Sequence, residues 1–341
     1  MLFLMVKAAS LQGIQFEPAY VATMQQWLSF MIKGIHHIGA SVPQLDDVVR
    51  FYQDAVDLPQ VGAFATANSA AADRVTGLQN VRSRTILLNG TTTYLELFEF
   101  ESPQPPPQAI MPVYGPGITH VCFQSPEDDP AFDKFSGQGM QMVSRGDRPV
   151  RLNPQRGITY AYARDVAGNM FEMEQWVTPP RAFPIWIAHV AFVSPNIERL
   201  TAFYSQVVMG MDASPEIRRF RGIPNLDVVG DIDNGDLYGT WIPTPNILIE
   251  IWQYVNPQTP DEPVNGSLET LGYTHICFEV DDVSAEYNRL TQLGVPFISE
   301  PHQTPTSVIV FGRDPDGNLF ELLQFLEPDN LMSLDRLDFG L

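Results

Sequence analysis

Cysteine is scarce, with two in 341 residues. That excludes a disulfide framework and leaves Cys122 and Cys277 as small buried hydrophobes in a reducing compartment. Positive charge is scarce too: 20 Lys and Arg stand against 40 Asp and Glu, for a net charge of −20. Such a chain repels polyanions at long range, so neither nucleic acid nor an anionic membrane is an expected partner. Two Arg groups, Arg145/Arg148/Arg151/Arg156 and Arg218/Arg219/Arg221, are available to a small anion but read more simply as solvated loop charges. No apolar run is long enough to span a bilayer. The opening stretch MLFLMVKAAS is apolar without a basic leader or cleavage site, so a cytoplasmic location is expected. The expected partner is a small molecule and the expected assembly a homodimer. A hydrophobic content of 44% describes a globular chain with room for two domains.

Histidine is also rare, six in all, and four of the six recur in one context. The segments IHHIGASV from 35, ITHVCFQS from 118, IAHVAFVS from 187 and YTHICFEV from 273 each set a His in an apolar strand. Helical spacing follows: Leu45, Val48, Val49, Tyr52, Val56, then Leu200, Phe203, Tyr204, Val207, then Val283, Tyr287, Leu290, Leu293. These stripes are core faces that pack on a sheet. Each segment ends in a strand with a Glu among apolar residues: TYLELFEF (Glu96), NMFEMEQW (Glu172), ILIEIWQY (Glu250) and NLFELLQF (Glu321). The turns RDVAGN and RDPDGN precede two of them, where Gly168 and Gly317 can take positive φ.

The unit is therefore strand, helix and several strands, used four times. His37 and His189 are 152 residues apart, and His120 and His275 are 155 apart. Near-equal offsets indicate duplication of a two-unit domain. Proline-rich connectors at 102–117, 177–184 and 256–266 separate the units. The expected organisation is an N-terminal extension (1–33, with a helix over 18–33), a first domain over 34–178 (units 34–101 and 117–177), a second over 185–327 (units 185–256 and 272–327) and a tail (328–341).

Side chains alternate along a strand, so residues i and i+2 share a face. His120 then shares its face with Cys122 and Gln124, and Glu96 with Tyr94 and Phe98. Glu172 shares its face with Met170, Glu174 and Trp176, and Glu250 with Leu248, Trp252 and Tyr254. His36 must face away from His37 and is set aside. Each Cys lies about 6.6 Å along the strand from its His and reads as cavity lining. A lone buried carboxylate is costly, but two Glu and two His around one cation remove that cost. Such a nitrogen and oxygen set suits a divalent Zn, Ni, Co, Mn or Fe ion. Phe98, Trp176, Trp252 and Tyr254 are the expected substrate-lining residues, favouring a bulky or aromatic small molecule.

The stretches HHIGASVPQLDDVVRFYQDAVDLP, HVAFVSPNIERLTAFYSQVVMGM, RGIPN at 221–225 and RDPDGNLFELLQF together resemble the vicinal oxygen chelate superfamily. Its members include glyoxalase I, methylmalonyl-CoA epimerase, extradiol dioxygenases and related resistance proteins. The resemblance covers roughly residues 34–326. It implies an α+β fold of four βαβββ modules paired into two cupped mixed sheets, with metal ligands His37, Glu96, His120, Glu172, His189, Glu250, His275 and Glu321. Modules can pair consecutively, or first with fourth and second with third. The connector at 177–184, read as a domain linker, favours consecutive pairing.

The implied chemistry is that of a metal-dependent isomerase, epimerase or lyase. A proton α to a carbonyl is removed through a metal-bound enolate or enediolate, with Glu172 or Glu321 as the base. One alternative is an Fe(II) extradiol-type dioxygenase using His189, His275 and Glu321, from a signature-like stretch between His302 and Glu321. That stretch departs from the signature at Phe311, where a Tyr is expected, and Glu250 crowds the iron, so His302 reads as a loop residue. Another alternative is a non-catalytic binding protein, against which the retained His and Glu argue.

Overall fold

The opening strand of every repeat is apolar on both faces, and such a strand belongs in the middle of a sheet. The computed structural model describes residues 32–340 except 107–109, 153, 154, 156, 263 and 265. The helix expected over 18–33 lies outside the described residues up to 31; Ile32 and Lys33 already belong to a strand. The first module comprises β1 (Ile32–Ser41), α1 (Leu45–Val56), β2 (Gln60–Thr66), α2 (Ala70–Thr76), β3 (Arg82–Asn89) and β4 (Tyr94–Ser102). The second has β5 (Gly117–Pro126), α3 (Ala131–Ser136), β6 (Gln141–Met142), β7 (Ile158–Arg164) and β8 (Met170–Trp176). The third has β9 (Trp186–Val193), α4 (Ile197–Ala202) running into a π-helical turn (Phe203–Val208), β10 (Arg218–Arg221), α5 (Pro224–Gly230), β11 (Asp236–Pro243) and β12 (Leu248–Asn256). The fourth has β13 (Gly272–Val280), α6 (Val283–Gln292), β14 (His302–Gln303), β15 (Ser307–Arg313) and β16 (Leu319–Phe325). No described helix is long and apolar enough to cross a membrane.

Two eight-stranded mixed sheets result, and the fold is α+β. The first sheet runs β14-β15-β16-β13-β1-β4-β3-β2, and the second runs β10-β11-β12-β9-β5-β8-β7-β6. Within each module the first strand lies parallel to the last, as β1 does to β4. Modules join through antiparallel first strands, β1 with β13 and β5 with β9. The first module therefore pairs with the fourth and the second with the third. This corrects the expectation of consecutive pairing, under which 34–178 and 185–327 would each have formed one sheet. The nine-residue connector after β8 stays within the second sheet, whereas the longer connectors after β4 and β12 carry the chain between sheets.

Consecutive modules do meet, but back to back through their helices. On α1, Asp46 and Asp47 occupy the first turn, and Asp57 closes the helix in the left-handed region. The buried face of α1 packs Phe51 and Tyr52 against Phe123, Phe135 and Phe171 of the second module. In the other pair, Phe203 meets Phe320 and Tyr204 meets Phe278. A buried polar bond repeats in both places. Tyr52 Oη donates to Asp165 Oδ2 at 3.1 Å, and Tyr204 Oη to Asp314 Oδ2 at 2.9 Å. Each Asp also accepts the N–H of Asn169 or Asn318 in its turn. Gly168 and Gly317 of those turns take φ of 88° and 93°, as expected.

A fully buried amide joins the two sheets, beside the Ile187 N to Gly90 O bond and the Thr91 and Thr92 hydroxyls. Asn246, in the turn before β12, accepts from Ile35 N at 3.0 Å and donates to Ile35 O and Thr92 O at 2.8 Å. Gly34, at φ 148°, makes room: a Cβ there would stand 2.5 Å from Asn246 Oδ1. Asn246→Ala strands the Ile35 N–H and the Thr92 carbonyl in the core, at about 1–3 kcal/mol for each lost partner. Denaturant unfolding is expected to show a loss of at least ~2 kcal/mol; an unchanged midpoint would contradict this account of the junction.

Candidate metal centres

Each sheet gathers four of the eight expected donors on its four central strands. In the first sheet these are Glu321 on β16, His275 on β13, His37 on β1 and Glu96 on β4. In the second they are Glu250 on β12, His189 on β9, His120 on β5 and Glu172 on β8. The residue two positions after each His explains how they meet. Gly39 lies opposite His275 on one side and Glu96 on the other. Cys277 lies between His37 and Glu321, Ala191 between His120 and Glu250, and Cys122 between His189 and Glu172. All four are small because the His of one neighbouring strand and the Glu of the other lean over them. A Cβ at Gly39 would meet the His275 ring at 2.1 Å. The cysteines are fully buried space-makers, a role visible in advance as the shared pattern His-x-small.

Donor atoms in the first sheet nearly touch. His37 Nε2 lies 3.0 Å from His275 Nε2, 3.3 Å from Glu96 Oε2 and 3.1 Å from Glu321 Oε2. His275 Nε2 is 3.6 Å from each carboxylate. In the second sheet, His120 Nε2 is 3.5 Å from Glu172 and Glu250, and His189 Nε2 is 2.9 Å and 3.4 Å from them. Metal–ligand bonds of about 2.0–2.2 Å place neighbouring ligand atoms roughly 3 Å apart. His120 Nε2, His189 Nε2 and Glu250 Oε2 are buried and make no well-formed hydrogen bond. The donor atoms of His120, Glu172, His189 and Glu250 lie within 4.8 Å of one another, as do those of His37, Glu96 and His275, with Glu321 in reach of both first-sheet imidazoles, so both sets fit a divalent cation.

Without a cation the groups must share protons. Burial would raise Glu172, yet the imidazoles of His120 and His189 hold it down at about 2. Burial would lower His189, but the charges of Glu250 and Glu172 prevail and raise it to about 9. His37 and His120 are raised against burial by their own carboxylates. Glu174, outside this set, is pushed up to about 8 by burial and by the charge of Glu172. It accepts from Gln124 at 2.5 Å and from Trp176 at 3.1 Å.

Access separates the two sets. The first opens onto a cavity of about 410 Å³ lined by Glu96, His275, Glu321, Phe98, Phe311 and His302, among others. Glu96 keeps 21% of its side chain exposed, whereas Glu172 and Glu250 keep 6% and 5%. In the second sheet Trp241 Nε1 donates to Glu250 Oε1 at 2.8 Å, and Trp252 stacks edge-on with Trp241 and Phe220. Of the four aromatics expected to line substrate, Phe98 lines the open cavity. Trp252 and Tyr254 instead fill the second cup, and Trp176 is buried against Glu174.

Two further expectations change. His189 lies on the second sheet, away from His275 and Glu321, so the three cannot form one iron-binding face. His302 sits on the edge strand β14 and lines the cavity rather than lying in a remote loop. His36 was missed: a bulge between Ile35 and His37 breaks the alternation and brings His36 Nδ1 to 2.8 Å from His37 Nδ1. Most of the two Arg groups is ion-paired: Arg145 with Asp231 and Asp233, Arg151 with Glu127, Arg218 with Glu216 and Arg219 with Asp236; Arg156 lies outside the described residues.

The raised His189 contributes stability that is whole below pH 6.5 and lost as pH rises through about 9. The lowered Glu172 contributes stability that is whole above pH 4.5 and lost as pH falls through about 2. Metal-free protein should therefore be most stable between these limits and weaken towards alkaline pH. A bound cation reverses the alkaline limb, because it needs neutral imidazoles. Thermal melts against pH, with and without chelator, test this; chelated protein that gains stability from pH 6.5 to 9 would refute the shared-proton account.

Comparison with known proteins agrees with this architecture. The model of the Glyoxalase/Bleomycin resistance protein/Dioxygenase superfamily matches residues 34–173 and 186–322. A lactoylglutathione lyase of Pseudomonas aeruginosa is 38% identical over 60 residues, 18% of this chain and 34% of that protein. The chain thus spans about a third of the length of that curated relative. Glyoxalase I from Zea mays superposes with a TM-score of 0.57 at 16% identity, over 85% of this chain and 92% of that one. A mutant form of the maize enzyme reaches 0.61 at 16% identity, over 89% and 96%. At that identity the likeness concerns the fold alone. Family model and fold agree: the chain belongs to the Glyoxalase/Bleomycin resistance protein/Dioxygenase superfamily.

Proposed function

We propose that the first-sheet site is the catalytic centre of a metal-dependent lyase or isomerase that moves a proton α to a carbonyl. Its substrate is a bulky or aromatic small molecule. The observation that carries this reading is the cavity of about 410 Å³, which reaches Glu96, His275 and Glu321 from one side. The second set has the same donor types behind packed tryptophans. His37, Glu96, His275 and Glu321 would hold the cation, and the second set would hold another with a structural role. A divalent ion there polarises vicinal oxygens and stabilises negative charge developing on them.

The chain's own residues would do the rest. Glu321, within reach of the cavity and 3.1 Å from His37, takes the proton and returns it to the neighbouring carbon. Phe98 lies nearly parallel to the His275 ring at 6.0 Å, and Phe311 meets that ring edge-on at 5.4 Å. These apolar walls hold an aromatic or branched group and exclude water from the carboxylates. His302 adds a further imidazole to the wall.

His302 beside His275 and Glu321 also favours a second reading, Fe(II)-dependent ring cleavage. Glu96 counts against it by filling a position that a catechol and O₂ would need.

Elemental analysis of protein purified without chelator tests the assignment. We expect His275→Ala to lose one bound divalent ion and all activity, and His189→Ala to lose the other ion while keeping turnover. Glu321→Gln should keep proton-exchange activity below about 1% of wild type. Retained activity in His275→Ala sinks the assignment; bound iron with oxygen-dependent catechol consumption hands it to the second reading.

A further inference from the structure

We infer that His36, held by the main chain of the C-terminal segment, sets the tautomer of His37 and so aims His37 Nε2 at the first-sheet cation site. The inference rests on the metal reading above and adds a positioning residue to it.

The proton count is forced by chemistry. A carbonyl only accepts, so the 2.8 Å bond between His36 Nε2 and Met332 O places a hydrogen on Nε2. Neutral imidazole carries one such hydrogen, and the surroundings of His36 call for no second: its ring is buried, and its two nitrogens meet a carbonyl and another imidazole. His36 Nδ1 is therefore an acceptor. Its partner at 2.8 Å among the described residues is His37 Nδ1, which must carry the hydrogen. His37 Nε2 is left with a bare lone pair at the place where Glu96, Glu321 and His275 converge. The His36 ring is itself wedged between Tyr94 at 4.9 Å and Phe325 at 5.4 Å.

Two other donor histidines reach the same tautomer by a local route. Thr274 Oγ1 lies 3.0 Å from His275 Nδ1 and donates to Gly39 O; Thr119 Oγ1 lies 3.1 Å from His120 Nδ1 and donates to Ala191 O. Each hydroxyl has spent its hydrogen and so accepts from the ring. His37 has His36 where these have a threonine, and its chain of bonds ends 296 residues away. That remote segment is anchored on the first sheet. Ser333 Oγ and Leu334 N both bond Glu279, at 2.6 and 2.7 Å, Lys33 pairs with Asp335, and Leu334 is buried with Leu87 and Tyr94. The residues after the last repeat thus contribute to one cation site and not to the other.

The test uses full-length His36→Leu and His36→Asn. Asn retains an oxygen to accept the His37 Nδ1 hydrogen. Nitrogen NMR of the metal-free protein, at a pH that keeps the rings neutral, should show His37 protonated on Nδ1 in wild type and losing that preference in His36→Leu. Zn(II) titration should show first-sheet affinity falling about 10–100-fold in His36→Leu. The second-sheet affinity should be unchanged, and His36→Asn should recover most of the loss. Unchanged tautomer and affinity in His36→Leu overturn the inference. So does an equal loss at both sites, or an Asn variant as weak as Leu, since each marks a packing role. Wild type with the stated tautomer but no bound Zn(II) would uphold the relay and overturn the metal reading instead.

Discussion

In each sheet two imidazoles stand 2.9–3.6 Å from two carboxylates, and such a cluster, mostly out of water, is costly to keep without a shared positive charge. Much of the architecture follows from that demand. The four side chains must leave four adjacent strands at the same level. That level lies where the first strands of two modules run side by side. It also requires Gly39, Cys122, Ala191 and Cys277, because any larger residue between a His and a Glu would hold them apart. Gly39 is the extreme case, with the His275 ring lying across its α-carbon.

The same donor types meet different surroundings in the two sheets. In the second sheet, α5 lies over β7 and is fastened by polar bonds: Arg145 N to Val228 O, Ser144 Oγ to Val229 O, and Asn225 to Arg151 O. Trp241 then closes the carboxylate from within. In the first sheet the corresponding α2 meets the fourth module through apolar side chains, Val75 and Leu78 near Ile298 and Ile309. Its inner face borders the cavity. A helix that meets the neighbouring module through apolar side chains yields to a ligand more readily than one pinned to that module by main-chain bonds.

The fourfold repeat, the βαβββ order and the eight His and Glu positions were legible in the sequence, because period-2 alternation and fixed spacing report directly on which side chains share a face. Module pairing was not. It is decided by strand-edge contacts between residues some 240 positions apart, such as His37 with Cys277. Local composition made the short Pro-rich connector at 177–184 look like a boundary. The longer connectors carried the better signal, since a crossing between sheets needs chain length. His36 was hidden for a related reason: strict alternation turns it away from His37, and a bulge is an exception that alternation cannot foresee. Trp252 and Tyr254 were placed on the correct face, but a face pointing into a cup does not say whether the cup is open or full.

Pairing first with fourth and second with third has a consequence that consecutive pairing would lack. Residues 34–178 contain two His and two Glu donors, yet these lie on different sheets: His37 and Glu96 on one, His120 and Glu172 on the other. Neither half of the chain holds a complete set, so each set of four donors is assembled only when both halves fold together. Helix packing between consecutive modules, through Tyr52–Asp165 and Tyr204–Asp314, supplies the link that runs along the chain. Sheet pairing supplies the link across it. With both in place, the sites share one framework while drawing on four non-identical modules. One cup can be filled with tryptophan and the other kept hollow without disturbing the donor geometry of either.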